Sequence, residues 1–455
     1  MKQSRFRGLL KTGDKNFVEI IKHSIWALAI LGLATGIQFV FDLLMAREFG
    51  ASGTGVFYLC FSLIIALSLF GHIGLDRTVV RLIPPLLVKK DYAAANSLKR
   101  TTLHIVIFNT LLITTTLFVI SPWLAETVFH DSQLTLYFRI FSLALPFYSL
   151  RFIYGGILRA IKKTRESLLI ERVIIYAIGI LAIFTLGARS GIKGMSWGFV
   201  IGCIVSVVVG IWFVNKLFPK SKQVEPFSKK VLLASGVPLL FVAFGTQMIG
   251  QTSVLILGSV GTTADVGVYN AALKVSLTLT LILTAINTIA GTTISELFAQ
   301  NEKGKLEKIF GKTSSLGFLL GLPLFLIMFI FPEFILGLFG NEFVGGVGAL
   351  RILAIGQLVN IIVGPTLFIL AMTGREKALA KTVISSLVVN ILIGVLIIPT
   401  YTVQGAAIAT AVTIACSNLI MLVLVRRYFG VWSLPFKFLG LWASKVVRKD
   451  TNQYN

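Results

Sequence analysis

Acidic residues are scarce in this chain: Asp and Glu total 19 among 455 residues, against 42 Lys and Arg and four His. That scarcity speaks against chemistry built on clustered carboxylates, such as aspartate-rich prenyl transfer or metal-assisted catalysis. Cysteine is rarer still. Cys60, Cys203 and Cys416 all fall in apolar stretches without CxxC spacing, so they read as small packing residues rather than a disulfide or metal framework. Neither HExxH nor a GxxxxGK[ST] loop occurs, and no cofactor or metal is expected. Charged residues of both signs amount to 13%.

Apolar side chains make up most of the rest. With 56% hydrophobic residues and a mean hydropathy of +0.87, the chain holds more apolar surface than a soluble core buries. Apolar stretches of about 20 residues, the length that crosses a hydrocarbon core of about 30 Å, recur along the chain. Twelve are expected, over 25–46, 56–83, 103–124, 137–159, 168–187, 192–215, 232–258, 267–294, 313–335, 348–372, 378–398 and 403–425. They are continuous rather than alternating, and too long for barrel strands of ~10 residues, so the fold class is all-α integral membrane. The first stretch is long enough to span, so no cleavable signal peptide is expected.

A net charge of +23 would suit nucleic acid, but the placement of the bases explains it differently. With the first span starting in the cytoplasm, 33 of the 42 Lys and Arg fall in the two tails and the loops after even-numbered spans. The opposite loops hold Arg47, Arg139, Arg189, Lys193 and Arg351, while Arg77, Arg81, Arg151 and Lys274 remain inside spans. This asymmetry is the positive-inside pattern, which places both termini in the cytoplasm and turns the basic patches toward anionic membrane lipids. Residues 428–455 intersperse aromatic and aliphatic residues with Lys437, Lys445 and Arg448, the pattern of an amphipathic helix on that surface.

The chain also repeats itself. REFGASGTGVFYLCFSL after the first span matches LGSVGTTADVGVYNAALKVSL after the seventh; Pro122 matches Pro332, Arg139 matches Arg351, and Gly194 matches Gly405, at an offset near 211 residues. Because six crossings are even, the halves run the same way through the membrane and form a parallel repeat about an axis along its normal. The expected organisation is a cytoplasmic segment 1–24, a six-helix bundle 25–217, a basic linker 218–231, a second bundle 232–427 and a tail 428–455, with the bundles around a central cleft. GLATG (32–36), GFVIG (198–202) and GFLLG (317–321) have the spacing of close helix approach, and Pro146, Pro238, Pro323 and Pro365 are candidate kinks.

Together, FGASGTG, GLDRTVVR closing the second span, the polar loop behind it, the proline near the end of the third span and the six-plus-six duplication resemble the multidrug/oligosaccharidyl-lipid/polysaccharide (MOP) transporter superfamily. The resemblance runs over residues 20 to 430 and is strongest to the polysaccharide transporter branch. It implies a plasma-membrane flippase, not an enzyme, that moves an undecaprenyl-diphosphate-linked oligosaccharide from the cytoplasmic to the outer leaflet by alternating access. A polysaccharide polymerase is a further candidate partner; nucleic acid is not.

The stretch GHIGLDRTVVR (71–81) shows why intramembrane charge matters. A charge in hydrocarbon costs from ~3 to over 10 kcal/mol, so these residues need a partner or a wet cavity. Arg77 and Arg81, four residues apart, share a helix face and suit a diphosphate, whose oxygens match paired guanidinium donors. The plainer alternative is a snorkelling Arg81 and an Asp76 ion pair to another helix. Arg151 lies at the middle of the fourth span, with no basic counterpart in the other half, and Lys274 lies two turns into the eighth; both are candidate substrate contacts. Asp42, Asp76 and His72 are candidate ion-coupling groups, with a local Asp42–Lys274 ion pair as the alternative for the first. A cation-coupled multidrug exporter is the nearest rival, but it favours an acidic cavity. A membrane polymerase or glycosyltransferase needs long outer loops or clustered carboxylates, which this sequence lacks.

Overall fold

In a computed structural model, which describes residues 15–219, 221, 227–299 and 303–430, the chain is helical, with no strand among the described residues. The helices are α1 (Lys15–His72), α2 (Leu75–Val88), α3 (Tyr92–Trp123), α4 (Leu134–Ala160), α5 (Thr164–Leu168), α6 (Ile174–Ala182) and α7 (Ala188–Leu217). The second half holds α8 (Lys229–Val260), α9 (Thr263–Ala299), α10 (Lys303–Ile330), α11 (Pro332–Gly337), α12 (Val347–Val363), α13 (Thr366–Met372) and α14 (Glu376–Phe429). Single π-turns at Leu169–Val173 and Ile183–Gly187 join α5, α6 and α7. The N-terminal residues 1–14, most of the linker and the expected surface helix at 436–448 lie outside the described residues.

Among the described residues, nine continuous helical segments are long and apolar enough to cross a membrane. Three of them, Gly32–Val88, Thr164–Leu217 and Glu376–Phe429, have 57, 54 and 54 residues, which at ~1.5 Å per residue is more than twice a hydrocarbon thickness. Each contains a sharp break between two expected spans: Gly50 (φ 64°), Ser190–Gly191 (φ 59° at the glycine) and Thr402 (φ 43°). The breaks fall between the first and second, fifth and sixth, and eleventh and twelfth expected spans, so the structure accommodates twelve crossings. Gly50 needs its missing Cβ for this left-handed turn.

The duplication is visible in the contacts. Gly191 and Thr402, 211 positions apart, carry the same left-handed break. A Cβ on Gly194 would fall on the carbonyl oxygen of Leu186, and one on Gly405 on that of Ile397. Arg139 lies over the ring of Phe118 at 5.1 Å, and Arg351 over Phe329 at 5.9 Å, the same cation–π contact in both halves. Near a two-fold axis, equivalent residues must meet each other. Ser52 Oγ lies 3.0 Å from Thr263 Oγ1, and Gly55 packs backbone to backbone against Gly267. Arg47 Nε donates to the Leu338 carbonyl (2.7 Å) and the Ala51 amide to Glu342 (2.7 Å), so the halves are clasped at this end.

Several local expectations need correction. The second span is not one helix: Ile73 (φ 50°) and Gly74 (φ 67°) divide it into α1 and α2 because Gly74 is pressed against the α8 backbone at Gly236 and Leu240. The tenth span breaks at Gly364 (φ 79°), before Pro365, whereas Pro146, Pro238 and Pro323 sit inside continuous helices. GFVIG brings α7 onto Ala182 and Ile175, but Gly32 and Gly36 of GLATG have no close neighbour among the described residues. Cys60 and Cys203 are buried and unpaired; Cys416 is exposed and also unpaired.

Candidate functional site

α1 and α9, one from each half, face each other with two charges between them. Lys274 Nζ lies 3.8 Å from Asp42 Oδ2 and 5.1 Å from the ring centroid of Tyr58, whose hydroxyl donates to Asp42. The local ion pair that the sequence offers as an alternative is therefore formed. Both residues depart from the repeat: the matching positions in the other half hold Ser253 and Ser62. In the second half Ser253 and Tyr269 both bond to Thr410 (2.8 Å each), with no charge among them. The pair is thus specific to the contact between halves.

This pair borders a cavity of about 220 Å³ lined by Gln38 and Asp42 of α1, Lys274 and Thr278 of α9, and Arg172 from the π-turn after α5. Two cations face one carboxylate there, so the space favours an anion, and ammonium and guanidinium donors together match phosphate oxygens. Among the described residues no group of three or more His, Cys, Asp or Glu forms a metal-binding cluster.

The other sequence candidates lie elsewhere. Arg77 and Arg81 occupy the exposed face of α2, opposite buried Leu75, Val79 and Ile83, and neither lines this cavity. Arg151 departs from the wet position expected of it: at 4% exposure it is enclosed in the first half, where its guanidinium stacks on Tyr148 (4.0 Å) and Phe152 (4.4 Å). Its Nη1 donates to the Glu171 carbonyl, while Nε has no hydrogen-bond partner. His72 Nδ1 sits 3.6 Å from Asp76 Oδ1, an i, i+4 pair across the Ile73–Gly74 break rather than a bridge from Asp76 to a distant helix. Glu171, absent from the sequence candidates, takes Arg159 as its ion pair and fills space that a side chain on Gly155 would occupy. Arg172 is also absent from them, since by sequence it counts among the loop charges. The position of both, a few residues inside the fifth span, is the available signal.

Enclosure changes the expectation for Arg151→Ala. Removing the side chain strands a buried carbonyl and opens a void between two aromatic rings, so it should cost about 1–3 kcal/mol of stability, with Arg151→Lys recovering part. Thermal unfolding of the purified protein checks this, and an unchanged melting temperature for Arg151→Ala would remove the structural role.

A duplicated all-helical membrane bundle with a charged cavity between its halves is the architecture of an alternating-access membrane transporter. The model of the family described as polysaccharide biosynthesis protein matches residues 20–297, more than half of the chain, and the chain belongs to that family; the MatE model matches residues 238–396. A protein of Haloferax volcanii named as the probable low-salt glycan biosynthesis flippase Agl15 is 24% identical over 399 residues, covering 85% of this chain and 79% of that protein. An uncharacterized membrane protein of Methanocaldococcus jannaschii is 24% identical over 446 residues, covering 92% and 84%. An inward-facing multidrug-resistance MATE transporter of the MOP superfamily shares the fold with a TM-score of 0.74 at 16% identity, covering 90% of this chain and 98% of that one. The lipid II flippase MurJ in an inward closed conformation does so with a TM-score of 0.70 at 16% identity, covering 88% and 87%.

Proposed function

We propose that the chain is a flippase for a diphosphate-linked lipid oligosaccharide, undecaprenyl being the carrier, and that it works from the cytoplasmic to the outer leaflet of the plasma membrane with both termini inside. The observation that carries this reading is the cationic cavity between the halves, where Lys274 and Arg172 outnumber Asp42. In this reading Lys274 and Arg172 take the diphosphate, and Asp42 holds Lys274 in place until phosphate displaces it. Arg77 and Arg81, exposed on α2, are the candidates for first capture from the leaflet. Family membership and the flippase name of the archaeal relative support the glycan side. The MatE match over part of the second half favours a drug exporter as the second reading, yet a cationic drug would meet two bases.

Purified protein in proteoliposomes tests the choice. A fluorescent undecaprenyl-diphosphate-linked sugar loaded in one leaflet should appear in the other in a protein-dependent way, while ethidium should not be moved. Ethidium transport without lipid movement would replace the flippase reading with the exporter.

A further inference from the structure

Helix α9 has a second polar face. Leu277, Thr280 and Thr284, three and four residues apart, turn toward the interior of the second half and wall a cavity of about 300 Å³ with α8, α12, α13 and α14. Leu277 and Thr280 also line the cavity that contains Lys274, so the two spaces adjoin along α9.

Their chemistry differs. Among the described residues no charged residue lines the second cavity. It is furnished instead with amides and hydroxyls from three helices: Thr246 of α8, Gln357 and Asn360 of α12, Ser417 and Asn418 of α14. Gln357 is 1% exposed, and its side-chain carbonyl accepts from the Asn360 amide (3.2 Å). The Gln357 NH2 and the Asn360 carbonyl have no further hydrogen bond among the described residues. Asn418 spends its amide on the Ile414 carbonyl (2.9 Å), which leaves its own side-chain carbonyl for another donor. The break at Gly364 and Pro365 starts α13 so that Phe368 joins the same wall.

Uncharged polar groups inside a membrane protein are costly unless paired. An acyl chain would leave them unsatisfied, a phosphate would find no cation, and a cationic drug would find no carboxylate. Sugar hydroxyls, each both donor and acceptor, match amide and hydroxyl groups, and an aromatic ring offers a flat apolar surface to the ring carbons. We propose that this cavity is the subsite for the first sugar units of the cargo, beside a diphosphate held at Lys274. The proposal rests on the flippase reading, and it uses one covalent fact: the first sugar is bonded to the diphosphate, so the two subsites must adjoin, as these cavities do.

The test uses the whole protein in nanodiscs and two probes, farnesyl diphosphate and the same molecule carrying one N-acetylglucosamine. Wild type should bind the sugar-bearing probe about tenfold more tightly, the equivalent of one or two net hydrogen bonds. Asn360→Leu and Asn418→Leu should each cut that preference below about threefold, and Lys274→Met should weaken both probes. Melting temperatures report whether the leucine variants fold; if one does not, Thr246→Val, at an exposed position, supplies the same readout. Equal affinity of wild type for the two probes, or folded variants that keep the preference, would overturn the sugar subsite. Failure of wild type to bind either probe would instead overturn the flippase reading on which it rests.

Discussion

Lys274→Met is expected to reduce lipid-diphosphate transport by at least about tenfold, because it removes from the cavity between the halves the ammonium proposed to hold the diphosphate. The single variant also disturbs the fold. Asp42 is 4% exposed and relies on Lys274 and the Tyr58 hydroxyl; stripped of its cation, a buried carboxylate can cost about 3–5 kcal/mol. Lost transport could then reflect lost protein. The double variant Asp42→Asn/Lys274→Met separates the causes, since it removes both charges together and leaves an amide carbonyl able to accept from Tyr58. Its melting temperature should return toward wild type while its transport stays low. Lys274→Arg should retain part of the activity, because charge and donors persist in altered geometry. If the double variant transports at the wild-type rate, Lys274 is a structural partner of Asp42 and the cationic route must be sought at Arg172, Arg77 and Arg81.

The architecture could be read from sequence because hydrophobic length and the offset near 211 are properties of whole segments. The glycines of FGASGTG and their counterparts proved more informative than expected, since Gly55 and Gly267 are both equivalent and in contact. Breaks inside spans were not legible. Gly74 and Gly364 lie within single expected spans, and what bends the chain at Gly74 is the α8 backbone, more than 150 residues away. The site was legible in part. Asp42 and Lys274 stood out as charges inside spans, and their ion pair was one of the two alternatives. Arg151 stood out for the same reason, yet stacking between Tyr148 and Phe152 and a bond to the Glu171 carbonyl house its charge without a wet wall. Arg172 escaped notice because a base near a helix start looks like positive-inside charge until the π-turn at Leu169–Val173 places it on the cavity. The uncharged cavity had no signal at all, because Gln357, Asn360, Ser417 and Asn418 are scattered over two helices of the second half.

Joining Ser52 to Thr263 should stop transport outright. Their hydroxyl oxygens are 3.0 Å apart, so cysteines at both positions bring two sulfurs within reach of a disulfide, whose Cβ atoms stand about 3.8 Å apart. The surrounding contact has little slack, since a Cβ on Gly55 would fall on the Thr263 carbonyl and one on Gly267 on the Ala51 carbonyl. For the cargo to leave at this end the halves must part here, breaking the Ser52–Thr263 contact and the Arg47–Leu338 and Ala51–Glu342 hydrogen bonds with it. Thermal motion can open those single contacts but not a covalent bond. In a Cys416→Ser background, with Cys60 and Cys203 left in place because they are buried, oxidation of Ser52→Cys/Thr263→Cys should bring lipid movement down to the protein-free level. Reductant should restore it, and each single-cysteine variant should be indifferent to both treatments. Mass spectrometry of the 52–263 cross-link gives the locked fraction, which should equal the fraction of transport lost. Full transport by a fully cross-linked protein would mean that the halves do not separate at this end, and the alternating-access mechanism drawn from the repeat would fall.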